Sequence, residues 1–503
     1  MPKRKCAVLI GYSGKGFNGM QYHPPEAGVT TVEGTLFEAL FKAGAVSADN
    51  SDDPFKIGFQ RAARTDSGVH ALGNVISAFL IMRPNMVEAI NAHLPPSVRV
   101  WDVIRVQNGF NAHTLCESRY YSYTFPTYLL RPPAVGTFMH AHMNGLPPPT
   151  AAPSLYSLDG DMERLEYRAS DDVLENLRAL IPAYIGRRQF HNFTPDMLPG
   201  ESMSAYRKMF RITLGDPFVR GGVEWARVTI FGQSFMMHQI RKMMGTLLVA
   251  ARTGTPLAAL RALMDRRAPG RTHTPRAPAQ GLILDHPVFE GYNQKLLNEP
   301  HPNATTTAEV VFNQVRDKME TLYEEWVWPD LMEAEPMCVS VFALWMNAVD
   351  GYDGPDLSYF GPDTAALPSD PPPSPEVLHD VTSHMEELES DGSRVRFMYN
   401  TGDGSWMHAT IPTHRPGWRD RRFIDNIADG RGRERLVPQP VGAPAVGEVE
   451  SPPAEVTALW ERRRARAVAF HDALVEEQTG VVSETSTDPI SVDGGAPITV
   501  DGG

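Results

Sequence analysis

The sequence predicts a protein of mixed strands and helices, class α+β, and three observations carry that reading. Runs with strand periodicity are interspersed with amphipathic helical runs as far as Tyr292. Arg207–Leu214 and Trp225–Phe231 follow one another as paired strands. Beyond Pro362 the periodicity stops, and prolines gather with Ser, Asp, Glu and Gly in a composition that reads as a disordered acidic tail.

Cys6–Ile10 is an apolar run of core-strand length. It enters a glycine-rich loop, Gly11 to Gln21, in which Gly14-Lys15-Gly16 lacks the Ser or Thr that follows the lysine of a P-loop. Its glycines serve tight turns or the close approach of a ligand to the backbone. Thr35–Ala43 is a helix with Leu36, Phe37, Leu40 and Phe41 on helical spacing. Val75–Leu80 reads as a buried strand, Pro84–His93 as a helix stopped by Pro95, and Val98–Val106 as an alternating strand. Ser118–Phe125 alternates as well, setting Tyr121, Tyr123 and Phe125 on one face and Tyr120, Ser122 and Thr124 on the other. Such a tyrosine stripe serves core packing or the holding of a flipped base.

Arg131–Asp161 is rich in Pro, Ala and Gly and reads as a surface insertion. Ser170 caps a helix over Val173–Ile185 with Leu174, Leu177 and Leu180 inward, and Pro182 is placed to end it early. Gly232–Gly245 runs into an apolar helix, and Thr255 caps another over Pro256–Arg266. Arg276–Leu284 is a turn entering a strand, and the compact part ends near Tyr292. Val310–Trp328 is a charged helix with Pro336–Ala348 packed on it. In the tail, Phe397–Thr410 forms a local hairpin and Leu459–Glu477 an isolated helix. That helix carries Arg462, Arg463, Arg464 and Arg466, either as a solvated face or as a contact for RNA or an import receptor.

Composition narrows the function classes. The net charge of −13 is divided unevenly: residues 1–300 carry 32 Lys and Arg against 25 Asp and Glu, and the remainder carries 15 against 35. The first part can therefore meet phosphates while the acidity belongs to the tail. Three scattered cysteines, Cys6, Cys116 and Cys338, argue against a disulfide framework and against a cysteine-based zinc site. The chain shows no secretory signal and no membrane span, since Gly245–Leu263 is cut by Arg252 and Arg261. Pro2-Lys3-Arg4-Lys5 reads as a nuclear import signal or as a solvated basic end.

The chemistry centres on Gln60 to Leu80, where Arg64-Thr65-Asp66-Ser67-Gly68-Val69-His70-Ala71 precedes the buried strand. A carboxylate on a tight loop held by a rigid strand is either a presented reactive group or a cap for backbone amides. Arg241, in an apolar helical stretch, either needs a partner for its charge or snorkels to the surface.

Taken together, the ordered segments resemble the TruA-like family of tRNA pseudouridine synthases, in its eukaryotic multisite branch. They are Gly11-Tyr12-Ser13-Gly14 with Phe17, Gly19 and Gln21; Thr31-Val32-Glu33-Gly34; Arg64 to Ala71; Ser118 to Tyr123; His191-Asn192-Phe193-Thr194; Ser234 to Lys242; and Pro278-Ala279-Gln280-Gly281-Leu282. The likeness spans about residues 3–292, and more weakly to about 360.

It implies two similar α/β halves with antiparallel sheets, flanked by helices around a central basic cleft, with a C-terminal helical extension. The corresponding boundaries are 1–130 and 162–292 for the halves and 293–361 for the extension; the insertion, 131–161, and the tail, 362–503, are not part of the family pattern. The implied reaction breaks the glycosidic bond of a uridine, rotates the uracil and rejoins carbon 5 to the ribose, with neither cofactor nor metal. By the resemblance Asp66 is the essential catalytic group, as a nucleophile or through a glycal-type route. Arg241 pairs with it, and Tyr121 stacks on the base and is placed for proton transfer. Arg64 holds the flipped nucleotide, and His238 and Lys242 contact RNA. The implied partner is tRNA, near the anticodon stem, along with other structured RNAs. No membrane and no obligate protein partner are implied, and the implied location is nuclear and also cytoplasmic.

Two rival classes are distinguishable. Asp66-Ser67-Gly68 fits an aspartic peptidase, but the chain holds no second Asp-Ser-Gly or Asp-Thr-Gly to share a proton. A non-catalytic RNA-binding or tRNA-folding protein on the same fold would be expected to have lost one of Asp66, Tyr121 and Arg241, and all three are present.

Overall fold

The computed structural model describes residues 2–150, 164, 166–195, 205–265, 271–298, 307–333 and 340–362, and the backbone alone at 394–400 and 406–412. Its centre is one mixed ten-stranded sheet with helices on its faces. In chain order the elements begin β1 (Lys3–Tyr12), α1 (Val32–Lys42), β2 (Gln60–Arg61), β3 (His70–Ile81), α2 (Met86–Asn91), β4 (Val98–Arg105) and β5 (Ser118–Pro126). Next come α3 (Phe138–Met143), α4 (Asp171–Leu180), β6 (Gly186–Gln189), β7 (Tyr206–Leu214), β8 (Phe218–Arg220) and β9 (Val223–Gly232). There follow α5 (Gln239–Thr253), α6 (Leu257–Ala262), β10 (Leu282–Val288) and α7 (Glu290–Asn298). Then come α8 (Arg316–Leu322), a π-helical turn at Tyr323–Val327, α9 (Trp328–Glu333) and α10 (Val341–Asp350).

The main path of the sheet runs β4-β1-β3-β10-β5-β9-β7-β6, with β2 on β3 and β8 on β9. The strands of the two parts thus join in one sheet rather than in two. The junction is β10, which pairs parallel with β3 and antiparallel with β5, bringing Ile283 opposite both His70 and Ser122. The residues just before β10 therefore lie beside the start of β3, where the Asp66 loop ends.

Local chemistry accounts for the elements. Thr31 caps α1 by accepting from the Gly34 amide, so that helix starts three residues earlier than its apolar spacing alone predicts. In β5, Tyr121, Tyr123 and Phe125 face the core, as alternation requires. α4 buries Leu174, Leu177 and Leu180 and ends at Leu180, with Pro182 in a short 3₁₀ turn that follows. Thr255 does not cap α6: its hydroxyl bonds that of Thr253 and accepts from the Gly361 amide, and Pro256 occupies the cap position.

The expectation that the compact part ends near Tyr292 is corrected. Tyr323, Val327, Trp328, Phe342, Trp345 and Phe360 belong to the main core, on the face that also holds α1, α4 and α5. Phe312, Met319 and Leu322 close a second core with Leu9, Val75, Trp101 and Phe110. The segment reads as a solvated helix in sequence because its apolar side chains share a stretch with Glu320, Glu324 and Glu325, which are exposed. Within the expected insertion, α3 buries Met139 and Ala141, and His142 Nε2 lies 3.0 Å from the carbonyls of Ser358 and Phe360. Backbone strands Arg394–Asn400 and Trp406–Pro412 form the expected hairpin. The helix expected at Leu459–Glu477, and the rest of the tail, lie outside the described residues.

Candidate active site

The Asp66 loop is held by its neighbours' backbone. The Met20 amide donates to the Thr65 carbonyl, Ser67 Oγ to the Phe17 carbonyl, and the Val69 amide to the Asp66 carbonyl. Tyr12 Oη lies 2.9 Å from Thr65 Oγ1 in the core. Gly68 turns the chain at φ +77°, a conformation that favours glycine. The glycine-rich loop before α1 lies against this loop: a Cβ on Gly14 would stand 2.3 Å from the Val69 carbonyl oxygen. The glycines thus admit close approach of the chain to itself.

Four side chains gather around the Asp66 carboxylate, which remains 25% exposed. His238 Nδ1 lies 2.7 Å from Asp66 Oδ2. Arg241 Nη1 lies 3.6 Å from the same oxygen, and its Nε donates to the Ala277 carbonyl at 2.8 Å. Arg241 is completely buried, so of the two sequence readings the structure shows the partnered charge and not the snorkelling one. Arg276 Nη1 lies 2.9 Å from His238 Nε2. Tyr121 is buried, with its ring edge-on to Phe235 at 5.1 Å between centroids.

Burial pushes the Asp66 pKa up, but His238, through its hydrogen bond and, when protonated, its charge, and then the charges of Arg241 and Arg276 more than offset it, so the carboxyl sits below its ordinary value. Burial raises the Tyr121 phenol well above its ordinary value; Arg119 opposes the rise, and Asp66 is among the charges that add to it. The site therefore presents an ionised carboxylate beside a neutral phenol.

Sequence reasoning named Asp66, Tyr121, Arg241 and His238 within this group. Arg64 stands on the exposed rim, its Nη1 3.5 Å from Gln21 Oε1. Lys242 is placed differently from the expectation that it contacts RNA: it is 4% exposed and donates to the carbonyl and hydroxyl of Thr274. It follows Arg241 on α5, and the helical turn carries it away from the direction of its neighbour. Sequence reasoning missed Arg276. The signal was present, since a cation between Pro275 and Ala277-Pro278 needs a partner for the same reason as Arg241. Among the described residues, no group of three or more His, Cys, Asp or Glu is placed to hold a metal ion.

A family model described as tRNA pseudouridine synthase matches residues 180–290. The tRNA pseudouridine synthase 1 of Yarrowia lipolytica is 36% identical over 414 residues, covering 71% of this chain and 76% of the relative. The chain belongs to the tRNA pseudouridine synthase family. The protein of the same name from Schizosaccharomyces pombe is 32% identical, covering 71% of this chain and 85% of its own length. The mouse pseudouridylate synthase 1 homolog is 32% identical, with coverage of 78% and 81%. Members of the family are isomerases that convert uridine to pseudouridine in tRNA. The matched segment includes β9, α5 and the strand entry that carries Arg276, and the Asp66 loop lies outside it.

Proposed function

We propose that this protein isomerises uridine to pseudouridine in tRNA, with Asp66 as the catalytic group and Tyr121 and Arg241 as its partners. One observation carries the reading: a partly exposed carboxylate is kept ionised by a buried arginine and a histidine, next to a buried tyrosine. A carboxylate must be ionised to attack or to accept a proton. Arg241 keeps it so, and Tyr121 supplies a neutral hydroxyl and an aromatic edge at the same place. Arg64, exposed on the rim with a long bond to Gln21, is suited to the gap left when a base is flipped out. Exposed beside the Asp66 loop, Arg64 also adds positive charge suited to the RNA backbone.

The substrate region is the tRNA anticodon stem and its surroundings, with other structured RNAs as further substrates. The location is nuclear and also cytoplasmic. Lys3, Arg4 and Lys5 lie within β1 and Lys5 is buried, so the nuclear address rests on Arg462, Arg463, Arg464 and Arg466 instead. Nuclear exclusion of a fluorescent fusion in which these four are alanine would support that address, and unchanged nuclear signal would remove it.

Purified protein incubated with unmodified tRNA should produce pseudouridine, mapped by carbodiimide adducts and primer extension. Asp66→Ala should abolish the product while tRNA binding stays within about threefold. Equal conversion by the variant removes Asp66 from its role. No conversion by the wild type on any RNA favours a binding protein on the same fold.

A further inference from the structure

His238 is fixed from both sides. Its Nε2 faces Arg276, and a guanidinium can only donate a hydrogen bond, so Nε2 must be the accepting nitrogen. The proton of the neutral ring then sits on Nδ1 and points at Asp66 Oδ2. The backbone adds a third constraint. His238 sits at φ +61°, in the left-handed region, immediately before α5. It is one of two non-glycine residues in that region among the described residues, the other being Asn85. Such strain persists where the surroundings over-determine it, and it collects at functional sites. The His238 and Arg241 contacts to Asp66 both fall on Oδ2.

We infer that His238 is a positioning residue for the carboxylate, locked by Arg276 in the Nδ1–H tautomer, and that it holds Oδ2 so that Oδ1 is the oxygen offered to the nucleotide. This assigns His238 to the carboxylate rather than to RNA contact, and gives Arg276 a role through His238 besides its direct charge on Asp66. It rests on the proposed reaction, but the tautomer is measurable without it. The charged groups facing the ring are Asp66 from its loop, Arg241 from α5 and Arg276 from the segment before β10. Tyr121, from β5, stays neutral below pH 10.

The full-length protein tests this in three ways. In a ¹⁵N histidine spectrum of the wild type, His238 should show a protonated Nδ1 and a bare Nε2; a protonated Nε2 overturns the lock. His238→Gly suits the positive φ and removes the side chain, whereas His238→Asn also tolerates that φ and keeps an N–H near the place of Nδ1. His238→Gly should lower kcat about 100-fold, as expected of a misplaced reacting group, with KM for tRNA little changed. His238→Asn should recover about 10-fold of that loss. Wild-type kcat in the glycine variant, or no recovery by asparagine, overturns the proposal.

Arg276→Met frees Nε2. The imidazolium donates from both nitrogens, but the neutral ring can now place its proton on Nε2. In the ¹⁵N spectrum of this variant the Nδ1–H signature should therefore give way, in part or in whole, to Nε2–H. An unchanged Nδ1–H signature in Arg276→Met overturns the lock. If the wild type converts no uridine, the proposed reaction fails, and the spectrum still decides the tautomer.

Discussion

Arg252 and Asp350 meet side by side in the core, with Nη1–Oδ1 at 2.7 Å and Nη2–Oδ2 at 2.9 Å. Arg252 lies in the last turn of α5, and Asp350 ends α10. The helix that carries Arg241 near its start is thus tied to the C-terminal layer at its other end. Both side chains are nearly inaccessible, 2% and 3% exposed, so water replaces neither partner when the other is lost. Asp350→Ala should therefore destabilise by about 3–5 kcal/mol, because it strands the buried Arg252 charge. Urea unfolding of the variant checks this; a loss below about 1 kcal/mol would show that the pair can be dispensed with.

The same layer sets where the chain can be cut. Truncation after residue 362 removes none of the described core, and tRNA conversion should persist at wild-type rate. Truncation after residue 292 deletes Tyr323, Trp328, Phe342 and Trp345, each of which packs in the main core, and uncovers the apolar side chains they cover. Burial of a large apolar side chain contributes about 1.5–3 kcal/mol, so losing these four, about 6–12 kcal/mol, is comparable with the whole stability of an ordinary domain. The shorter protein should be insoluble or unfolded by near-ultraviolet circular dichroism. Activity in it would show that the N-terminal parts fold alone.

Asp66 sets a pH dependence whose sign follows from its lowered pKa. The carboxyl binds its proton more weakly in the folded state than in the unfolded chain. Its contribution to stability is therefore present above the ordinary carboxylate value and is lost as pH falls through the lower, folded value. Asp66→Asn should thus be less stable than the wild type at neutral pH, and the gap should close below about pH 4. Thermal melts at stepped pH measure it; a gap that widens on acidification would mean that Asp66 is protonated in the native state.

How much of this was legible in sequence differs by feature. Period-two and helical patterns reveal strands and helices, because alternation and 3.6-residue spacing are local consequences of one buried face. The Asp66–Arg241 meeting was legible only through family resemblance and the burial argument, since 175 positions separate the two. The joining of the parts into one sheet was not legible: it depends on β10 slipping between β3 and β5, a long-range pairing that no local pattern encodes. Lys242 was misread because adjacent helix residues point in different directions. The bond between Arg276 and His238 was missed because no local spacing records a contact between a loop and a helix start.

The glycine-rich loop gives a last test of how the Asp66 loop is held. Gly14 and Gly16 differ by two positions and by their surroundings. At Gly14 an added Cβ would strike the Val69 carbonyl, and the Gly14 amide also lies 3.1 Å from His70 Nδ1. At Gly16 a Cβ would meet nothing within 4 Å, but φ is +79°. Gly16→Ala should therefore cost about 1–2 kcal/mol in backbone strain and leave kcat unchanged. Gly14→Ala should cost about 1–3 kcal/mol by overpacking. The displaced Val69 carbonyl belongs to the turn that closes on the Asp66 carbonyl, so the carboxylate should move and kcat should fall about 10- to 100-fold. Single-turnover rates of both variants, with stability measured on the same samples, separate the two effects. Equal kcat losses in the two would mean that the loop, not its contact with Val69, governs the site.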